Sequence, residues 1–400
     1  VRMDRQQTWR KLAAEIAAKL EGADIGYLFA GTTALAVQGV AVPEWEEIEV
    51  SVQWDNFAEV HDLFQPYGAS GIEKHPGWDR FAFEKDGVPV SVFCVYNTVI
   101  VTDPERVAVQ WDGQTVHAKS VEHFRRTLAA DDPRMSAIHT YLKSFQSEHS
   151  RVNEAAWNQS AYDAWVSRYG TPEEAAAYIK KDPEARLAPL TRHIGELRGK
   201  KVVNLLGSHG SKAVAMALLG AAATVVDISR ENAAYADDLA RAAGVNLHYV
   251  VSDVLELPQE ELTGDYDLVL MELGILHYFI DLKPLAEIIA GLLGRGGRLV
   301  LHDFHPVSTK LITSKGKKHK VTGNYFDTSL EFAEVAFSKH LPEDKQRELP
   351  KVRHRKWTLG EIVTGIASAG LFISLLEEEP NTKVHDMGIP KTFTLVAKKV

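Results

Sequence analysis

A chain of 400 residues exceeds the usual size of one hydrophobic core, so two domains are expected. With 45% hydrophobic and 25% charged residues its composition is that of a soluble globular protein, and a net charge of −9 argues against a coat for nucleic acid or anionic membrane. No apolar run reaches the roughly 18 residues of a spanning helix, and the lone Cys94 leaves no intrachain disulfide, which fits a reducing cytoplasm.

In chain order, a helical pattern at 9–20 is followed by strand-like runs at 26–30, 48–52, 80–84, 88–96 and 114–118, then by a helical stretch at 121–145. That mixture predicts a small α+β domain over 1–148, with the polar segment 146–154 as linker. A second domain is expected over 149–400. It opens with a helical pattern at 153–170, in which Trp157, Ala161 and Trp165 share one face and Tyr162 stands off it, free to close over a ligand. Strands at 201–206, 223–227, 246–252, 267–271 and 297–303 then alternate with helices at 212–220, 231–244 and 281–293, as a parallel sheet requires. An insertion over 304–356 carries a basic run at 315–320, expected as a solvated loop. A helix at 358–370 and two strands at 371–377 and 392–398, read as a hairpin, close the chain.

The stretch KVVNLLGSHG at 201–210 reads as a buried strand and a glycine turn leading into a helix. Gly207 and Gly210 let the backbone approach a ligand closely, and the helix N-terminus offers free N–H groups. Asp227, about twenty residues on at the end of TVVDIS, stands where ribose hydroxyls would be accepted. Asp253 in VVSDVLEL ends the third strand, where an acid can accept from an adenine amino group. This unit suits a dinucleotide or S-adenosylmethionine. The missing G-x-G-x-x-G spacing disfavours a nicotinamide-dependent oxidoreductase.

From about residue 155 the order of these motifs resembles class I methyltransferases. The resemblance implies a doubly wound, mostly parallel seven-stranded sheet with a terminal antiparallel hairpin, and S-adenosylmethionine as cofactor. Carried onto this sequence, it places Asn204, Gly207, Ser208 and Gly210 in the first turn, Asp227 with Ile228 at the ribose, and Asp253 with Val254 at the adenine. It places Glu272 and Gly274 of MELGILH beside the methyl donor, and gives Tyr162 a closing role. Asn204 stands where an acid is usual, and Leu206 and Ser208 where glycines are.

Methyl transfer needs an aligned nucleophile and, where the acceptor carries a proton, a base. Candidates at strand ends are His277, and His302, Asp303 and His305 in LVLHDFHP. Tyr278, Tyr325 and Trp357 are candidate acceptor contacts, with Tyr325 and Phe326 in a lid. A third metal ligand beside these histidines is not evident, so no metal is assigned.

In the first domain, YLFAG followed by Thr32 and Thr33 leads to Glu47 and Glu49 on one strand face. A glycine and small hydroxyl residue followed by acid-hydrophobic-acid resembles the nucleotidyltransferase-like fold. The third acid expected on a later strand is Ser91 here, which implies a degenerate domain used for substrate recognition or dimerisation. The expected function is methylation of a small-molecule acceptor. The alternatives are a regulatory protein with a decayed cofactor site and an RNA-modifying methyltransferase fused to a nucleotidyltransferase.

Overall fold

The computed structural model describes residues 2–42, 47–315, 318–382 and 388–400, with the side chains of 2–4 left aside. The chain divides into two compact units, Val1–Ser144 and Phe145–Val400. Among the described residues no helix is long and apolar enough to cross a membrane.

The first unit is a mixed seven-stranded sheet. Helix Arg2–Gly22 presents Trp9, Leu12, Ala13, Ile16, Ala17 and Leu20, spaced three and four apart and all buried. The strands Tyr27–Phe29, Ile48–Val52 and Val88–Val95 lie at the middle of the sheet and supply Phe29, Val50, Val90 and Val92 to the core. Two strands absent from the sequence expectation, Glu73–His75 and Arg106–Trp111, form its two edges. Their side chains are mostly exposed or half-buried, and Glu73–His75 (EKH) carries no apolar residue at all.

The helical stretch expected at 121–145 is two helices, Val121–Thr127 and Pro133–Trp157. The second overturns the expected linker, because 146–154 lies inside it. Three of its polar side chains, Gln146, His149 and Asn153, are buried. Gln146 donates to the Tyr278 carbonyl at 3.1 Å and accepts from the Ile280 amide at 2.8 Å, and Asn153 bonds the backbone of Arg353 in both directions. A segment rich in polar groups read as a spacer because its partners lie 132 to 200 residues away.

The second unit is a seven-stranded sheet. Five parallel strands, Lys201–Leu205, Ala222–Asp227, Leu247–Val251, Tyr266–Glu272 and Leu293–Phe304, are joined by antiparallel Leu371–Pro380 and Pro390–Lys399. Their spatial order is third, second, first, fourth, fifth, seventh, sixth. Alternate residues feed two cores, with Val202, Val225, Leu268 and Leu270 on one face and Val203, Val226, Val269 and Met271 on the other. The order reverses between the first and fourth strands, and the crevice beyond their carboxyl ends is where an open sheet of this kind binds ligands.

The segment 304–356 holds helix Pro306–Leu311, a hairpin of Ile312–Lys315 with Lys318–Val321, and the pair Leu330–Ala333 with Val352–Arg355. Lys317 of the basic run lies outside the described residues.

Candidate active site

A cavity of about 500 Å3 opens at this reversal, lined entirely by residues of the second unit. Its floor is the turn after the first strand. Leu206 and Ser208 both adopt φ of +49°, the left-handed region that glycine enters most easily. The two positions where the resemblance expects glycine therefore have a glycine-like backbone shape. Gly207, between them, is constrained differently: a Cβ there would meet Val225 Cγ1 at 2.8 Å and Asn204 Cγ at 2.9 Å. Gly210, at φ +73°, caps helix Ser211–Leu218 and packs where a Cβ would strike Ala236, so it shapes the turn without lining the cavity.

Asp227 braces this turn. Its carboxylate accepts from the amides of Ser208 at 2.9 Å and Ser229 at 3.0 Å and from Asn232 Nδ2 at 3.1 Å. Burial pushes its carboxyl up, against the pull of those three donors. Asp227, Ile228, Asp253 and Val254 all line the cavity, as do Asn204, Gly207, Ser208, Glu272 and Gly274. Asn204 is buried and donates to the Leu270 carbonyl at 3.1 Å.

Several lining groups carried no sequence motif. Trp165 donates to Asn232 Oδ1 at 2.8 Å and stacks over His209 at 4.4 Å, with Tyr169 beyond it at 4.9 Å. Burial holds the His209 imidazole neutral, at a pKa of about 3. Arg186 bonds Ser211 Oγ, and Lys212 pairs with Glu272 at 3.2 Å.

Two imidazoles, His277 and His354, also line the cavity. His277 and His354 lie with ring centroids 3.7 Å apart, and Tyr278 meets both edge-on while its hydroxyl accepts from Trp157 Nε1. Nε2 of His277, Nε2 of His354 and both ring nitrogens of fully buried His149 are buried without hydrogen-bond partners. Burial lowers all three, His277 well below its ordinary range and His149 and His354 to about 4, so they are neutral at physiological pH. For His277 the neighbouring imidazoles add to the effect, and for His149 Arg353 and His354 do. The sequence singled out His277 alone. His354 lies in the insertion and His149 in the segment read as a linker.

Other expected site residues have different work. Tyr162 donates to Asp238 at 2.8 Å and packs on Tyr235, away from this cavity. His302 bonds Thr394 across neighbouring strands at 2.9 Å. His305 caps helix Pro306–Leu311 through the Val307 amide and bonds Glu378 at 2.6 Å. Asp303 accepts the amides of Gly274 at 2.6 Å and Phe304 at 2.7 Å, with those of Ile275 and Leu276 farther away. It holds the loop that carries Leu273, at φ +52°, and Gly274, at φ +75°. The Tyr325 hydroxyl accepts from the Leu359 amide, and buried Trp357 donates to the Leu276 carbonyl beneath the Arg355 guanidinium. None of these six lines the cavity, so none enters the chemistry proposed below.

In the first unit, a side chain at Gly31 would overlap the Glu49 carboxylate, which accepts from the Thr32 amide at 3.1 Å. Burial pushes the Glu49 carboxyl up, opposed by that amide. Glu47 pairs with Arg80 at 3.7 Å, and Glu49 stands beside Ser91 on the neighbouring parallel strand.

The family described as Methyltransferase domain matches residues 206–301, which run from this turn to the end of the fifth strand. No curated protein sequence matches the chain. Among solved structures, an S-adenosylmethionine-dependent methyltransferase from Mesorhizobium loti is similar at 22% identity, covering 51% of this chain and 93% of its own, with a TM-score of 0.41. One from Clostridium acetobutylicum is similar at 15% identity, covering 55% and 91%, with a TM-score of 0.39. Magnesium protoporphyrin IX methyltransferase from Synechocystis is similar at 17% identity, covering 61% and 96%, with a TM-score of 0.36. The residues present suit an adenosyl cofactor: the turn admits no Cβ at Gly207, and the acids at 227, 253 and 272 face the cavity with it. Residues 206–301 of the second unit thus match a methyltransferase domain, and the cavity they border has a lining that suits an adenosyl cofactor.

Proposed function

We propose that the chain uses S-adenosylmethionine to methylate a small-molecule acceptor bound beside His277. The cofactor supplies a methyl group activated by a sulfonium. Asp227, Ile228, Asp253 and Val254 hold its adenosyl part, and the turn at 204–210 holds the region beyond it. His277 takes the acceptor's proton. The observation that carries this reading is the unpartnered Nε2 of a neutral imidazole that lines the same cavity as Asp227 and Asp253. Leu273 and Phe304, both nearly half exposed, line the same cavity and favour an acceptor with an apolar body.

The test supplies methyl-labelled S-adenosylmethionine to the full chain with the small-molecule fraction of a cell extract or with total RNA. Label in the small-molecule fraction is expected, and label confined to RNA would sink the reading. His277→Asn should lower turnover roughly 100-fold or more while leaving the affinity for S-adenosylhomocysteine within about twofold. A parallel loss of affinity would remove His277 from the chemistry.

For the first unit we propose recognition or self-association in a nucleotidyltransferase-like domain that no longer transfers nucleotides. The engagement of Glu47 by Arg80 and of Glu49 by Thr32, with Ser91 in place of a third acid, supports this. So does an apolar patch. Trp78 and Val95 are cross-strand partners, Trp54 meets Tyr96 edge-on, and Val99 and Val101 flank Ile100, whose amide bonds Gln53. Val99 and Val101 are 53% and 60% exposed, which a surface without a partner rarely shows beside two exposed tryptophans.

A further inference from the structure

The first strand brings no charge to the cavity, since Asn204 is neutral and commits its Nδ2 to the Leu270 carbonyl. The amino-acid end of S-adenosylmethionine nevertheless carries an ammonium and a carboxylate, and taking either out of water unpaired is costly. Two other positions supply the complementary charges. Glu272 ends the fourth strand, which pairs with the first. Lys212 lies in the first turn of helix Ser211–Leu218. Lys212 Nζ stands 3.2 Å from Glu272 Oε1, the two side chains are only 14% and 16% exposed, and both line the cavity. The second carboxylate oxygen, Glu272 Oε2, is buried with no hydrogen-bond partner. Folded proteins rarely leave such an acceptor unmet, and a ligand donor is one way to meet it.

We propose that Lys212 and Glu272 together form the subsite for the amino-acid end of the cofactor, with Glu272 Oε2 accepting from the α-ammonium and Lys212 Nζ donating to the α-carboxylate. The negative charge missing from the first strand is thus supplied by the fourth. In the free protein the two side chains neutralise each other. A ligand bearing both charges on one carbon engages both groups at once. One lacking the amino acid leaves Glu272 Oε2 unmet. The subsite therefore distinguishes the intact zwitterion from 5′-methylthioadenosine, which keeps the adenosyl group and the thioether but has no amino acid.

The proposal rests on the cofactor assignment, and titration calorimetry of the full chain separates the two. S-adenosylhomocysteine and 5′-methylthioadenosine are each titrated into the natural chain and into Glu272→Gln, Lys212→Met and the double variant. Each single substitution should weaken S-adenosylhomocysteine roughly 10- to 100-fold and change 5′-methylthioadenosine less than about threefold. The double variant should lose less than the sum of the singles, since the two side chains contact each other and each single substitution leaves its partner unpaired. Unchanged binding of S-adenosylhomocysteine in the single variants would overturn the proposal. An equal loss for both ligands would also overturn it, because the pair would then be shaping the fold. If the natural chain binds neither ligand, the cofactor assignment fails first, and that result is in hand before any variant is made.

Discussion

Asp303 sits between two histidines at a strand end and would be a natural target for a catalytic knockout, yet its geometry predicts a different phenotype. The carboxylate is 5% exposed and accepts the Gly274 and Phe304 amides at 2.6 and 2.7 Å. The Ile275 and Leu276 amides, at 3.4 and 3.3 Å, are too long to count fully. Two charge-assisted bonds at roughly 1.5–3 kcal/mol each put the local loss in Asp303→Ala at about 3–6 kcal/mol. Asp303→Asn keeps a neutral acceptor for the two short bonds but turns an NH2 toward the other two amides, so it should lose about half as much. Hydrogen exchange read on peptides of the full chain is the suitable assay, because it localises the effect. Peptides covering 266–304 should exchange roughly 100-fold faster or more in Asp303→Ala, and peptides covering 27–52 should not change. Unaltered protection at 273–276 together with lost methyl transfer would refute this reasoning and place the carboxylate in the chemistry.

Ser208→Gly removes a left-handed strain of about 1–2 kcal/mol and adds about 0.5–1 kcal/mol of backbone entropy. The net should be a small gain in the thermal midpoint, whereas Ser208→Val should lower it; a fall with glycine would contradict the strain argument. Burial holds His149 at about 4 against an ordinary 6.5, so the unfolded chain binds the extra proton first as pH drops. Stability of the second unit should hold above about pH 6.5 and fall below it by up to about 1.4 kcal/mol per pH unit for each such histidine, down to about pH 4. Urea midpoints that stay flat over that window would be incompatible with a neutral buried cluster. Light scattering of the full chain should give a larger mass than that of a Trp54→Ser, Val101→Ser variant if the apolar patch joins two copies, and equal masses would remove self-association as its role.

The second sheet was legible because strands buried on both faces must be continuously apolar, as KVVNLL, ATVVD and DLVLM are. Turn residues and acids at their ends then marked the ligand crevice. The edge strand Glu73–His75 carries no such run, and in the other edge strand, Arg106–Trp111, the apolar run is only Val107–Val109. Gln146, His149 and Asn153 looked like surface, and nothing local reveals that their partners are Tyr278, Ile280 and Arg353. The residues around Asp303 suggested acid–base work because proximity in sequence resembled proximity in a site. In the fold, His302 faces a neighbouring strand and Asp303 a loop. His354 and Lys212 enter the cavity from places no motif marks.

The antiparallel strand Pro390–Lys399 has a consequence for how this sheet comes into being. It lies between the fifth and sixth strands, with Phe393, Thr394 and Leu395 wholly buried. Five parallel strands can emerge from the ribosome and pair in turn, but the fifth keeps one side of its ladder unmatched until residues 390–399 are made. Through that interval Leu299 and Leu301 belong to an open sheet border. Loss of these ten residues would remove an interior strand rather than trim an edge. Synthesis to the seventh strand is thus the step that covers the open side of the fifth.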